Sequence, residues 1–274
     1  MKTGKLTPWT HLTVSLIIAI SVVFCQNAEP TYSTVPYGPE SRQWLHIYCA
    51  SNDRPAPLFI WSHGNGSSAS RYSRHAWDMI RTNGISAISW ESLPRVSTPM
   101  DVDTAEADFD LMFNWVLSNA ARYGIDTNRI VIGGSSRGSV ISWKKCHTRW
   151  REIRGIYMNQ ALPDPVWAAV ALGLGESPLK HVHTNSPGLF LVYSAPPDTP
   201  DIHDPLNGMM VTNRYAELGI GERARLVHSL VVGKQSEWKF LPGFFAAAAP
   251  ASSVQSTSAS CTMDDTAGGT DNNP

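Results

Sequence analysis

Residues 128–134, Asn-Arg-Ile-Val-Ile-Gly-Gly, constrain this chain more than any other stretch. Successive side chains of a strand face opposite sides, so Ile130, Val131 and Ile132 in a row make both faces apolar. A strand of that kind needs a cover on each side, which is the setting of an interior strand in a parallel sheet. Similar short runs recur at 43–50 (QWLHIYCA), 57–64 (PLFIWSHG), 85–92 (ISAISWES), 154–162 (RGIYMNQAL), 188–195 (GLFLVYSA) and 224–232 (ARLVHSLVV). Helix-like segments separate several of them. The longest, 103–124, carries Ala107, Leu111, Trp115 and Leu117 near helical spacing and Gly124 as its stop. The alternation predicts an α/β fold: a mainly parallel central sheet with helices on both faces. Functional loops should then gather at the carboxyl ends of the strands.

The chain has 274 residues, of which 42% are hydrophobic and 16% charged, enough for one sizeable core. A formal net charge of -1 supplies no basic footprint for nucleic acid. Lys2 and Lys5 followed by the apolar run 12–24 read as a signal peptide over residues 1–25, cut after Cys25. The run is shorter than the ~20 apolar residues of a membrane span. The expectation is secretion, extracellular or periplasmic, with no stable membrane insertion of the mature chain; anchorage through the N-terminal segment is the alternative. Residues 26–248 form the expected domain. Residues 249–274, rich in Ala, Ser, Thr, Gly and Asp, read as a low-complexity, disordered tail. Cys49, Cys146 and Cys261 remain after signal removal, leaving room for one disulfide and one free thiol in any pairing. No Cys/His spacing has the form of a zinc site.

The strand-like run ends in Gly-Gly-Ser-Ser-Arg-Gly-Ser, which sets Ser136 in a G-x-S-x-G frame ahead of a helix-like stretch, 137–150. A serine on a sharp strand-to-helix turn protrudes above the sheet, with a helix N-terminus facing any negative charge that develops there. Gly134 and Gly138 occupy places where a side chain would collide with the neighbouring strand and helix. Taking Ser135 as the nucleophile instead would put Arg137 where the second glycine belongs. Ser136 is therefore the expected nucleophile. An earlier strand-like run ends in Ser-His-Gly-Asn-Gly, residues 62–66, where acyl-transfer enzymes place backbone N–H donors for an oxyanion. One donor is expected from Gly64 or Asn65 and the other from Arg137. His63 beside them is read as an orienting or packing residue, not as the base.

On these two motifs, and on the order of the strands and loops after them, the run from about residue 40 to 240 resembles an α/β-hydrolase, of the compact secreted esterase type that includes dienelactone-hydrolase-like and polyester-depolymerase-like members. The resemblance implies an acid after the next-to-last strand and a histidine after the last. The loop 195–208 offers Asp198, Asp201 and Asp204; Asp204-Pro205 ahead of a helix-like stretch matches the family's turn best. His228 is the only histidine after residue 203 and takes the base position, with His181, His183 and His203 as fallbacks. His228 lies closer to the strand than the family's base usually does.

The implied function is hydrolysis of a small-molecule or polymeric carboxylic ester through Ser136, His228 and Asp204 with an acyl-enzyme intermediate, requiring neither cofactor nor metal. A peptidase or amidase on the same scaffold, and a catalytically silent binding protein, are the competing functions. Residues 163–187 read as a short cap segment, with Trp167, Val170 and Leu172 lining an acyl pocket or packing in the core. Trp61, Trp90 and Trp143 are expected mostly in the core. Glu91, at the functional edge of its strand, is expected in a salt bridge or against substrate.

Overall fold

The computed structural model describes residues 28–51, 55–71, 74–162, 178–194, 202–228 and 240–248. Eight strands among them form one sheet: β1 (Tyr32–Pro36), β2 (Trp44–Tyr48), β3 (Ala56–Ser62), β4 (Ser86–Trp90), β5 (Ile125–Ser136), β6 (Ile153–Ala161), β7 (Gly188–Tyr193) and β8 (Ala224–His228). Their spatial order is β1-β2-β4-β3-β5-β6-β7-β8. The pairs β1–β2 and β2–β4 are antiparallel and the rest are parallel. The helices are α1 (Arg74–Thr82), α2 (Pro99–Asn119), α3 (Arg137–Thr148), α4 (Pro205–Glu217) and α5 (Leu241–Ala248).

The two-faced apolar strands are sorted as their period of two requires. Leu58, Ile60, Ile130, Ile132, Ile156, Met158, Leu189 and Leu191 pack in one cluster with residues of α2, α3 and α4. Phe59, Trp61, Val131, Tyr157, Phe190 and Val192 face the other way, into a second cluster with Trp77 and Ile80 of α1 and Leu241 and Phe245 of α5. Trp61, Trp90 and Trp143 are core residues, as expected.

One expectation is corrected, and one strand is added. The buried stripe of α2 is Val102, Ala105, Phe109, Met112, Phe113 and Val116. Ala107 is exposed and Leu111 is 39% exposed, while Trp115 and Leu117 are partly buried against the core, so the sequence spacing catches only the margin of the true face. A helix flanked by aromatic and aliphatic residues on neighbouring rows admits two stripes, and packing against α3 and the sheet selects one. The edge strand β1 is the addition, and its sequence gives little sign of it: its burial does not alternate, and its Ser33 and Thr34 are polar and exposed. The signal segment, the cap residues Trp167, Val170 and Leu172, and the tail lie outside the described residues. Cys49 and Cys146 are each buried and free, so they do not form the disulfide, and burial pushes the Cys146 thiol up.

Candidate active site

The parallel register levels Ser62 of β3 with Gly134 of β5, so both strands deliver their following loops to one edge. β5 ends on Ser136, whose backbone has φ 50° and ψ −116°, and α3 starts at the next residue. A non-glycine residue there is strained, and only a fixed surround keeps it so. That surround is visible. A Cβ on Gly134 would lie 2.6 Å from the backbone of Gly138, and one on Gly138 would overlap the carbonyl of Ser62, as the sequence spacing implied. Ser139 Oγ donates to the Ser136 carbonyl at 2.6 Å and accepts from Leu162 N–H at 2.9 Å, stapling the turn to the end of β6. Ser136 itself stays partly exposed.

The imidazole against Ser136 Oγ belongs to His203, with Nε2 at 3.1 Å, and not to His228, the base expected from chain order. His228 is the last residue of β8, paired with Tyr193 of β7, and its side chain lies outside the described residues. Strands stand about 4.8 Å apart, so β7 is about 10 Å from β5 and β8 a strand further. The connection 194–204 has ample length to cross from β7 to Ser136, and it ends at the half-buried His203 just ahead of α4. His203 ranks only as a fallback on sequence, and its nearness to the acid loop is the signal that could have promoted it.

Asp204 is buried and caps α4: its Oδ1 accepts from Leu206 N–H at 2.9 Å. Asn207 Nδ2 donates to the Ile202 carbonyl at 2.8 Å, so the first turn of α4 holds the segment carrying His203. Asp198 and Asp201 lie outside the described residues. Of the other fallback imidazoles, His183 Nε2 donates to the His147 carbonyl at 2.9 Å, at the far end of α3.

Gly64 passes directly against Ser136: a Cβ placed on it would sit 3.4 Å from Ser136 Cβ and 3.3 Å from the Ser135 carbonyl. The Asn65 amide is engaged on both sides with Val96, its Nδ2 donating to the carbonyl and its Oδ1 accepting from the N–H, each at 3.1 Å. The two contacts hold the side chain against Val96, and the backbone N–H is the Asn65 donor nearest in sequence to Gly64. Arg137, expected only for its backbone N–H, is 2% exposed and buries its guanidinium as well. It donates to the His63 carbonyl at 3.3 Å and to the Leu93 carbonyl, and one amino group lies 3.2 Å from His63 Nε2.

His63, 1% exposed, lies between Glu91 and the loop: Nε2 is 3.0 Å from Glu91 Oε2, and Nδ1 donates to the Gly64 carbonyl at 2.9 Å. Glu91 thus makes the salt-bridge contact expected of it, and its Oε1 also accepts from Ala69 N–H at 2.6 Å. Burial alone would raise its pKa, but hydrogen bonding and charge from His63, the Ala69 N–H and the Arg137 charge hold the carboxyl below its ordinary value.

A cavity of about 640 Å³ lies at the opposite edge of the sheet, where Arg154, Gly188 and Arg225 near the amino ends of β6 to β8 meet Phe240 and Phe244. Ser136 is not among the residues that line it. Among the described residues no helix is long and apolar enough to cross a membrane, and no group of three or more His, Cys, Asp or Glu is placed to hold a metal ion.

No family model and no curated protein matches the sequence. Solved structures do. A truncated carbohydrate esterase from gut microbiota matches with a TM-score of 0.62 at 18% identity, over 81% of this chain and 98% of that one. Esterase 2 of Thermogutta terrifontis, phosphonylated by sarin, matches at 0.61 and 15% identity, over 80% and 95%. The esterase LipW from Mycobacterium marinum matches at 0.60 and 16% identity, over 79% and 80%. At these identities the likeness establishes the fold, which is that of the α/β-hydrolases.

Proposed function

We propose that this chain is a serine esterase acting on carboxylic esters. The observation that carries the proposal is the 3.1 Å contact between His203 Nε2 and the hydroxyl of a serine strained into a strand-to-helix turn. His203 takes the Ser136 proton as Oγ attacks the ester carbonyl. The oxyanion is received by backbone N–H groups of Asn65 and Arg137, beside the N-terminus of α3. The imidazolium returns its proton to the departing alcohol, leaving an acyl-enzyme. Water, deprotonated by the same imidazole, then releases the acid.

The gut-microbiota, Thermogutta and LipW structures are all named as esterases, and the second is a protein phosphonylated by sarin, which supports acyl chemistry at an activated nucleophile. A small-molecule ester is the substrate class we assign. The acid that orients His203 is sought among the carboxylates preceding it, Asp164, Asp198 and Asp201, and Asp204 directly after it. Changing each to Asn identifies it by a loss on the order of 10⁴ in kcat. We also propose export, tested by whether the mature N-terminus begins at Gln26.

The deciding experiment combines p-nitrophenyl ester turnover with fluorophosphonate labelling. Stoichiometric label on Ser136, absent from Ser136→Ala, supports the reading. A folded chain that neither hydrolyses esters nor takes label is a binding protein, and faster anilide than ester turnover makes it an amidase.

A further inference from the structure

The oxyanion loop raises a question that the nucleophile and base do not answer: what aims its amides? The Gly64 carbonyl accepts from His63 Nδ1 at 2.9 Å and from Ser67 N–H at 3.2 Å. A trans peptide sets its N–H opposite its carbonyl, so these two contacts turn the Asn65 N–H away from the His63 ring and Ser67. The preceding peptide is fixed as well, because the His63 carbonyl accepts from Arg137 Nε at 3.3 Å. Beyond the loop, both ends of the Asn65 side chain hold Val96.

We propose that His63 is a positioning residue of the reaction: through its Nδ1–H it holds the Gly64–Asn65 peptide so that the Asn65 N–H faces the oxygen of the tetrahedral intermediate at Ser136. Glu91 and Arg137 keep the ring in place. Glu91 Oε2 takes the other ring nitrogen at 3.0 Å, and the Arg137 guanidinium packs beside the ring and grips the carbonyls on each side, those of His63 and Leu93. Arg137 therefore acts at both donors. Its main chain supplies one, and its side chain braces the residue that sets the other. A donor aimed in advance spends no energy on reorganisation when charge develops, which is why displacing one lowers kcat more than it weakens substrate binding. This inference rests on the ester-hydrolysis reading of Ser136 and His203.

Two substitutions separate positioning from packing. In His63→Asn the amide nitrogen can stand where Nδ1 stood and still donate to Gly64, while the Glu91 contact is lost. In His63→Gln the amide reaches the Nε2 place, keeping Glu91 and losing Gly64. The inference expects His63→Asn to keep kcat within about tenfold of wild type, and His63→Gln to lose about 100-fold in kcat with KM unchanged. The reverse order, or equal losses that track the fall in Tm, overturns it. If His63→Gln does not fold, Arg137→Lys takes its place, since one ammonium cannot hold both carbonyls as the guanidinium fork does. A fall in kcat at constant KM then supports the inference, and unchanged kcat overturns it. Fluorophosphonate labelling of the wild type separates the two levels. An active, labelled chain with the wrong order of variants sinks the positioning role alone, whereas an inactive, unlabelled one sinks the ester reading and this inference with it.

Discussion

The two sides of Ser136 are built in different ways. On the β3–β4 side, buried charge and main chain interlock: Glu91, His63 and Arg137 are each less than 10% exposed and each contacts at least one of the others. On the β7 side, the half-buried imidazole of His203 stands just ahead of α4, whose first turn contacts the main chain beside it through Asn207. On the esterase reading, the first side must present fixed dipoles to a charge that appears only in the transition state, where any slack costs rate. The second must bring a ring to the serine and pass protons in both directions, a task that tolerates some play. The division places rigidity where charge develops and adjustability where protons move.

The largest test of this contrast lies on the proton-transfer side. His203→Ala should lower kcat on the order of 10⁶-fold, about 8 kcal/mol of transition-state stabilisation, with a melting temperature close to that of wild type. His228→Ala should stay within a few-fold, and ester turnover of the pair decides which imidazole is the base. Next comes the tight turn. Gly138→Ala forces a methyl group into the Ser62 carbonyl and should destabilise by about 3 kcal/mol or more, read in urea unfolding.

Glu91→Gln tests the ionic side and should cost about 2 kcal/mol at neutral pH. Because the folded-state pKa of Glu91 is depressed below 4.5, its contribution is present in full above that value and is lost as pH falls through the depressed one. Gln does not titrate, so thermal melts at descending pH should show wild type and variant converging on the acid side. Smallest in stability is Asn207→Ala, which releases the Ile202 carbonyl and should cost about 1 kcal/mol. It should nevertheless lower kcat, because His203 rides on that segment. An unchanged kcat would mean that the ring is held by other contacts.

Much of the central sheet was legible from local pattern. Ile130, Val131 and Ile132 demanded cover on both faces, and the glycines flanking Ser136 announced the close approach of strand and helix. Both signals are short-range: they depend on side-chain period and on the volume around a single turn. The proposed base was not legible because its place beside Ser136 joins two residues 67 apart in sequence. Chain order favoured His228, whereas the imidazole beside Ser136 is that of His203, which lies after β7 in the chain. The β3–β4 network was half legible. Glu91 and His63 each stood out at a strand end, but nothing local could say that they face each other with the Arg137 guanidinium beside the ring. The misplaced stripe of α2 belongs with these failures, since its phase is chosen by partners distant in sequence.

At φ 50° and ψ −116°, residue 136 occupies a conformation that glycine would hold without strain. Ser136→Gly should therefore melt at a higher temperature than the native chain while turning nothing over. Selection for yield alone would drift toward that inert form. On the esterase reading, a hydroxyl at such a position is maintained by its dealings with another molecule, at the expense of the chain's own durability.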